Sequence, residues 1–178
     1  MLVSGREAAT ILAASGLSRD AARMALAGGL AGAPLRLKGS LLYDEDLVRA
    51  LARRPHAVIS DLSRRCRSGT FVARLNPLGT SRTEPGWHVS PWARVWIHHS
   101  ISTVGYYPFV ATISGFVVHG AEIVSVAVHP AAKELRTSFV TRSAGEWFDA
   151  FQGTRFTTGP GGPWLIWRAP PTLPPPPS

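Results

Sequence analysis

The apolar residues of this chain change period partway along it, and that change limits the folds open to it. From Ser4 to Arg53 they recur at the three-to-four-residue spacing of helices, in runs too short to be stable alone. After Tyr106 the β-branched residues gather in short stretches such as "PFVATISGFVVHGAEIVSVAVHP" and "ELRTSFVTR", which read as strands. Short helices first and strands later predict an α+β chain rather than a doubly wound sheet. The 178 residues allow one domain of ordinary size or two small ones. A hydrophobic share of 45% with six Trp is enough for a real core and excludes global disorder.

Four stretches follow from this pattern. Residues 1–55 read as a small helical unit. Residues 56–86, with "SRRCRSG" and "NPLGTSRTEPG", read as a basic linker holding one strand at "TFVARL". Residues 87–168 carry every Trp and every His except His56, and are predicted to form an α+β domain on an antiparallel sheet. Residues 169–178, "APPTLPPPPS", read as an extended, disordered Pro-rich tail. The net charge of +8 favours polyanionic partners, nucleic acid first. No run of about 18 apolar residues occurs, so no membrane span is predicted. The start lacks the charged-then-apolar pattern of a secretory signal. With a single cysteine, Cys66, a cytoplasmic setting is the expectation.

The first stretch can be read element by element. Ser4 with Glu7 predicts a capping box, with Ala8, Ile11 and Leu12 on the inner face of the helix it opens. Gly16 predicts the helix end, and Ser18 the cap of a second helix stopped at Gly28-Gly29. In that helix Ala21, Met24 and Ala25 are expected inward, and Arg19, Ala22 and Arg23 outward. "PLRLKGSLLY" predicts a hairpin around Lys38-Gly39-Ser40. Asp44 predicts the cap of a third helix reaching about Arg53, with Tyr43 and Val48 as a staple across it.

This order of helix, turn, helix, hairpin and helix resembles a known family. "REAA", "GLSRDAARMAL", "GGL" and "YDEDLVRAL" together resemble the winged helix-turn-helix of the excisionase and mercury-resistance-regulator (MerR-like) superfamily, over residues 1–55 only. The resemblance implies that the second helix enters the major groove of double-stranded DNA while the hairpin wing touches the flanking backbone. It puts Arg19, Ala22 and Arg23 at bases or nearby phosphates. It puts Ser18 and its helix end at a phosphate, and Arg36, Lys38 and Ser40 on the wing, with Arg6 on the backbone. The competing reading is a solvated arginine face on a structural cap. The strands that follow resemble those attached to such units in actinobacterial two-domain proteins, which implies no function.

In residues 87–168, Ser90-Pro91 predicts a helix start, and the helix "PWARVWIHHSISTV" is expected to be largely buried. His119-Gly120 predicts a hairpin turn. Ser143 with Glu146 predicts a capping box over "EWFDAF", and "TRFTT" and "WLIWR" two last strands around "GPGGP". No metal-ligand spacing, nucleophile elbow or phosphate loop is present, so no metal, cofactor or catalytic residue is assigned. Cys66 beside Arg64, Arg65 and Arg67 reads either as a thiol of lowered pKa serving a redox switch or as an inert linker residue. Trp147, Phe148, Phe151, Trp164 and Trp167 read either as a pocket lining or as sheet core.

The functional expectation is sequence-specific binding of double-stranded DNA by a transcriptional regulator, not an enzyme, with a homodimer formed through residues 87–168. Two alternatives stand beside it. One is an excisionase-like DNA-architecture factor of a mobile element. The other is an enzyme or interaction module in residues 87–168 that uses the first stretch only as scaffold. No effector is identified from the sequence.

Overall fold

A computed structural model describes residues 1–58, 64–78, 86–131, 134–157 and 162–167. The Pro-rich tail and most of "GPGGP" lie outside them.

The chain opens with strand β1 (Leu2–Ser4), α1 (Gly5–Ala14), α2 (Arg19–Ala27), the hairpin β2 (Leu35–Leu37) and β3 (Ser40–Asp44), and α3 (Glu45–Ala52). Each helix starts where the sequence supplies an acceptor for its orphan N–H groups. The Glu7 N–H donates to Ser4 Oγ at 3.2 Å, and the Ser4 N–H donates to Glu7 Oε2 at 2.9 Å. Those two bonds, the backbone one foremost, hold the Glu7 carboxyl below its ordinary range. Ser18 Oγ accepts from the Ala21 N–H, and Asp44 Oδ1 from the N–H groups of Asp46 and Leu47. Tyr43 and Val48, on either side of the Asp44 cap, are both buried in the same core.

Strand β1 carries no signal in the sequence. It is three residues long with only Val3 buried, too short for an alternation to show. It pairs antiparallel with β3, making a three-stranded sheet of order β1-β3-β2. The β2–β3 loop is the two-residue turn Lys38-Gly39, both at positive φ (45° and 83°), the primed geometry that matches strand twist.

The second part holds β4 (Thr70–Arg74), α4 (Pro91–Val104), β5 (Tyr107–Ile113), β6 (Phe116–Ala131), β7 (Glu134–Ser143), a 3-10 helix (Glu146–Ala150) and β8 (Trp164–Trp167). The sheet order is β7-β6-β5-β4-β8. The sheet is mixed rather than antiparallel, because β4 pairs parallel with β5. Helix α4 is the crossover between them, and a crossover returns the chain in the same direction. "TFVARL" therefore supplies an interior strand with Thr70–Ala73 buried, as expected of the one strand in residues 56–86.

Four local expectations also change. The β5–β6 hairpin turns at Ser114-Gly115, again with both φ positive, while His119-Gly120 lies inside β6. There Gly120 is needed for close approach, since a Cβ would run into the Phe148 ring. The 3-10 helix is capped by Gly145 without a side-chain bond, not by Ser143. "TRFTT" makes isolated bridges at Arg155 rather than a strand. Helix α4 buries only Ala93, Ile97 and Ser100, because a sheet covers one side of a helix. Trp92 and Val95 stand 81% and 61% exposed.

The sheet is covered on both faces. Ala93 and Ile97 of α4 pack with Phe71, Tyr107 and Ile123 on one side. Trp147, Phe151 and Phe156 pack with Val72, Val110 and Val117 on the other. Each such fully buried large apolar side chain is worth about 1.5–3 kcal/mol relative to exposure. The two parts of the chain meet at the β5–β6 turn. Phe116 is wholly buried in the core of the helical unit, Gly28 backs onto the Ile113 side chain, and the Arg54 guanidinium lies over the Phe116 ring.

Candidate nucleic-acid interface

Helix α2 is oriented by what it buries. Ala22, Ala25 and Leu26 face the core, which turns Arg19 and Arg23 to solvent. Ala22 is 0% exposed, so the expectation that it faces outward toward bases is corrected. It lies three residues from both Arg19 and Ala25, and a methyl group is small enough to sit on the inner side of that arc. Arg23 lies 4.0 Å from the Asp20 carboxylate, with both side chains largely in water. A pair so exposed is screened and leaves the guanidinium available to a stronger anion.

Between α1, α2 and β3 runs an open groove of about 950 Å³. Its floor is apolar, from Ala9, Ala13, Leu26, Leu41 and Tyr43. Arg6, Arg19 and Arg23 also line it, and no carboxylate does among the described residues. Arg6 comes from the first turn of α1 and the other two from α2, so two helices converge three cations on one opening. The hairpin adds a fourth. Arg36 pairs directly with Leu41, and cross-strand partners project from the same face. Arg36 therefore stands on the groove side of the hairpin. Ser40, one residue from Leu41, projects from the opposite face, away from the other candidates. Lys38 is at the exposed turn.

At the α1–α2 turn, Gly16 takes a φ of 91° and Ser18 caps α2, presenting the first N–H groups of that helix outward. Asp20 in the same turn opposes an anion there, so the arginines rather than the helix end dominate the attraction. Of the eight residues singled out in the sequence, Arg6, Arg19 and Arg23 share the groove, and Arg36 stands on the hairpin face of the groove residue Leu41. Ser18 and Lys38 lie at the two ends of this surface, Ser40 faces away and Ala22 is internal.

Cys66, the aromatic residues and Glu122 are all engaged in packing or hydrogen bonds. The Cys66 thiol is buried, and burial pushes its pKa up from its ordinary 9.0 to about 11, outweighing the neighbouring Thr70 hydroxyl and the charge of Arg65. The lowered pKa expected from its arginine neighbours is thereby overturned, because desolvation disfavours the thiolate more than the exposed cations favour it. The aromatic residues divide between the two faces of the sheet. Trp164 stacks on Phe71 at 5.1 Å on the α4 side, while Trp147 and Phe148 pack with Phe151 on the other. They form two cores. Glu122 is buried but accepts from Arg142 Nε at 2.6 Å, Trp147 Nε1 at 2.9 Å and the Gly145 N–H at 3.2 Å, which uses it to hold the 3-10 helix. No group of three or more His, Cys, Asp or Glu suited to a metal occurs among the described residues. No described helix is long and apolar enough to cross a membrane.

Two residues with no marking in the sequence bear on this surface. Arg155 donates to Ser15 O at 2.8 Å and to Ser15 Oγ at 3.2 Å, at the α1–α2 turn. Phe116 fills the core beneath the helices. Both contacts are distant in sequence, so no local pattern could point to them.

Comparison with protein families, curated proteins and solved structures finds no match to this chain. The class that fold and surface define is thus no finer than a mixed α+β protein with a cationic groove on its helical unit.

Proposed function

We propose that residues 1–55 act as a winged helix-turn-helix and that the chain is a cytoplasmic, sequence-specific DNA-binding protein working in transcriptional regulation. The observation that carries this reading is the convergence of Arg6, Arg19 and Arg23 on one groove with no carboxylate in its described lining, with Arg36 paired to the groove residue Leu41. Helix α2, nine residues and about 14 Å long, fits a major groove about 12 Å wide. Arg19 and Arg23, four apart, share the face that would meet base edges or phosphates, with Lys38 at the tip of a wing on the flanking backbone. One such unit reads few base pairs, so two copies joined through residues 87–168 supply the second half-site.

Binding to fragments of the source genome tests the proposal, at low and at physiological salt, for the protein and for Arg19→Ala/Arg23→Ala. Selective enrichment that survives physiological salt and is lost in the double variant supports a sequence reader. A site near promoters supports regulation, whereas an attachment site or origin supports the excisionase-like role. Unselective binding that disappears with salt is a bare polyanion effect and overturns the reading.

A further inference from the structure

Besides the Phe116 contact, the sheet domain reaches the helical unit where α1 turns into α2. Arg155 does this with a forked contact. One guanidinium nitrogen donates to the Ser15 carbonyl at 2.8 Å and the other to the Ser15 hydroxyl at 3.2 Å. Ser15 is the C-cap of α1, and its hydroxyl in turn donates to Leu12 O at 2.7 Å. A cation at a helix C-terminus is favourable in itself, and here it also ties down the residue before Gly16, where the chain reverses.

Arg155 is itself held from both sides. Its N–H donates to Pro55 O at 2.9 Å and its carbonyl accepts from the Ala57 N–H at 2.8 Å, so the segment leaving α3 pairs with it. It also bridges Phe116, whose ring sits in the core of the helical unit. Nothing about Arg155 resembles a surface arginine. Its side chain is half-buried, and its Nε is wholly enclosed.

We infer that Arg155 is a positioning residue that sets the angle between α1 and α2, and so the spacing of Arg6 from Arg19 and Arg23. The aim of the candidate interface is then decided by the second domain rather than by residues 1–55 alone. In the positioning of α2 the inference stands on contacts within the chain. Its consequence for DNA rests on the function proposed above.

The test uses the full-length chain with Arg155→Lys, Arg155→Met and Ser15→Ala, and Arg53→Gln as a control for lost charge at an exposed position. Lysine keeps the charge but cannot make the fork. Amide exchange at Ser15–Ser18 is expected to speed about tenfold or more in both Arg155 variants. Ser15→Ala, which loses only one arm, should show a smaller rise, and Arg53→Gln none. Amides of β5 and β6 should keep their protection in every variant. Unchanged exchange at Ser15–Ser18 in both Arg155 variants overturns the inference, as does an equal rise throughout the sheet, which would make Arg155 a general stabiliser. DNA affinity is read in parallel. Loss in Arg155→Lys with Arg53→Gln unchanged is expected. If the unaltered protein binds no DNA, the proposed function fails while the exchange data still judge the role of Arg155.

Discussion

Ala22 and Cys66 show how far a residue's neighbours in sequence can mislead about its surroundings. Ala22 lies between solvent-facing arginines yet has no exposed surface. Ala22→Leu is expected to cost about 1–3 kcal/mol by overpacking, read as a lower urea midpoint, where an exposed alanine would shift stability by no more than about 0.5 kcal/mol. Cys66 has three basic neighbours within two residues yet has a raised pKa of about 11. The folded chain therefore holds its thiol proton to higher pH than the unfolded chain, whose thiol ionises near 9. The stability this gives is full below pH 9 and is lost as pH rises from about 9 to 11, amounting to about 2–3 kcal/mol. Urea unfolding at pH 8 and pH 10.5 should show that decline in the protein and a smaller one in Cys66→Ala. Labelling of Cys66 by a maleimide at neutral pH should be slow until the chain is unfolded.

Among the elements, those with local chemistry at their ends were legible. The caps at Ser4, Ser18, Asp44 and Ser90 all stand where the sequence places them, as does the turn at Lys38-Gly39. These features are decided within four residues, which is the range a sequence pattern covers. The parallel β4–β5 pairing was not legible, since it depends on where α4 carries the chain, and neither was β1, which exists only because β3 offers an edge. In the candidate site the arginines were legible as exposed charges on one helix face, but their convergence with Arg6 and Arg36 is tertiary. The Lys38-Gly39 turn gives a prediction at this scale. Lysine in the left-handed region is strained by about 1 kcal/mol, and asparagine tolerates that region better. Lys38→Asn is expected to raise stability by about 0.5–1 kcal/mol in chemical denaturation. If the hairpin is a wing on DNA, the same change weakens binding and lowers the salt slope by about one. Greater stability with unaltered binding would remove Lys38 from the interface.

At the scale of the whole molecule, the question is whether the helical unit and the sheet domain fold as one body. Phe116 decides it, because it belongs to a strand of the five-stranded sheet and yet is buried with Leu12, Val48 and Leu51. Removing it opens a cavity in the helical core and detaches the β5–β6 turn from it. Phe116→Ala should therefore cost about 3–5 kcal/mol, and Phe116→Leu markedly less. The distribution of tryptophan makes the outcome readable by region. All six lie beyond residue 86, so their fluorescence follows the sheet domain, whereas α1, α2 and α3 contribute most of the helical signal in circular dichroism. Coincident unfolding curves by the two probes, shifted together in Phe116→Ala, are the outcome for a single cooperative unit. A linker-joined pair would instead lose its helical signal first in the variant while the tryptophan transition stayed in place. The Phe116 and Arg155 contacts favour the first outcome, since a unit whose core is completed from outside has no reason to remain folded once that contribution is withdrawn.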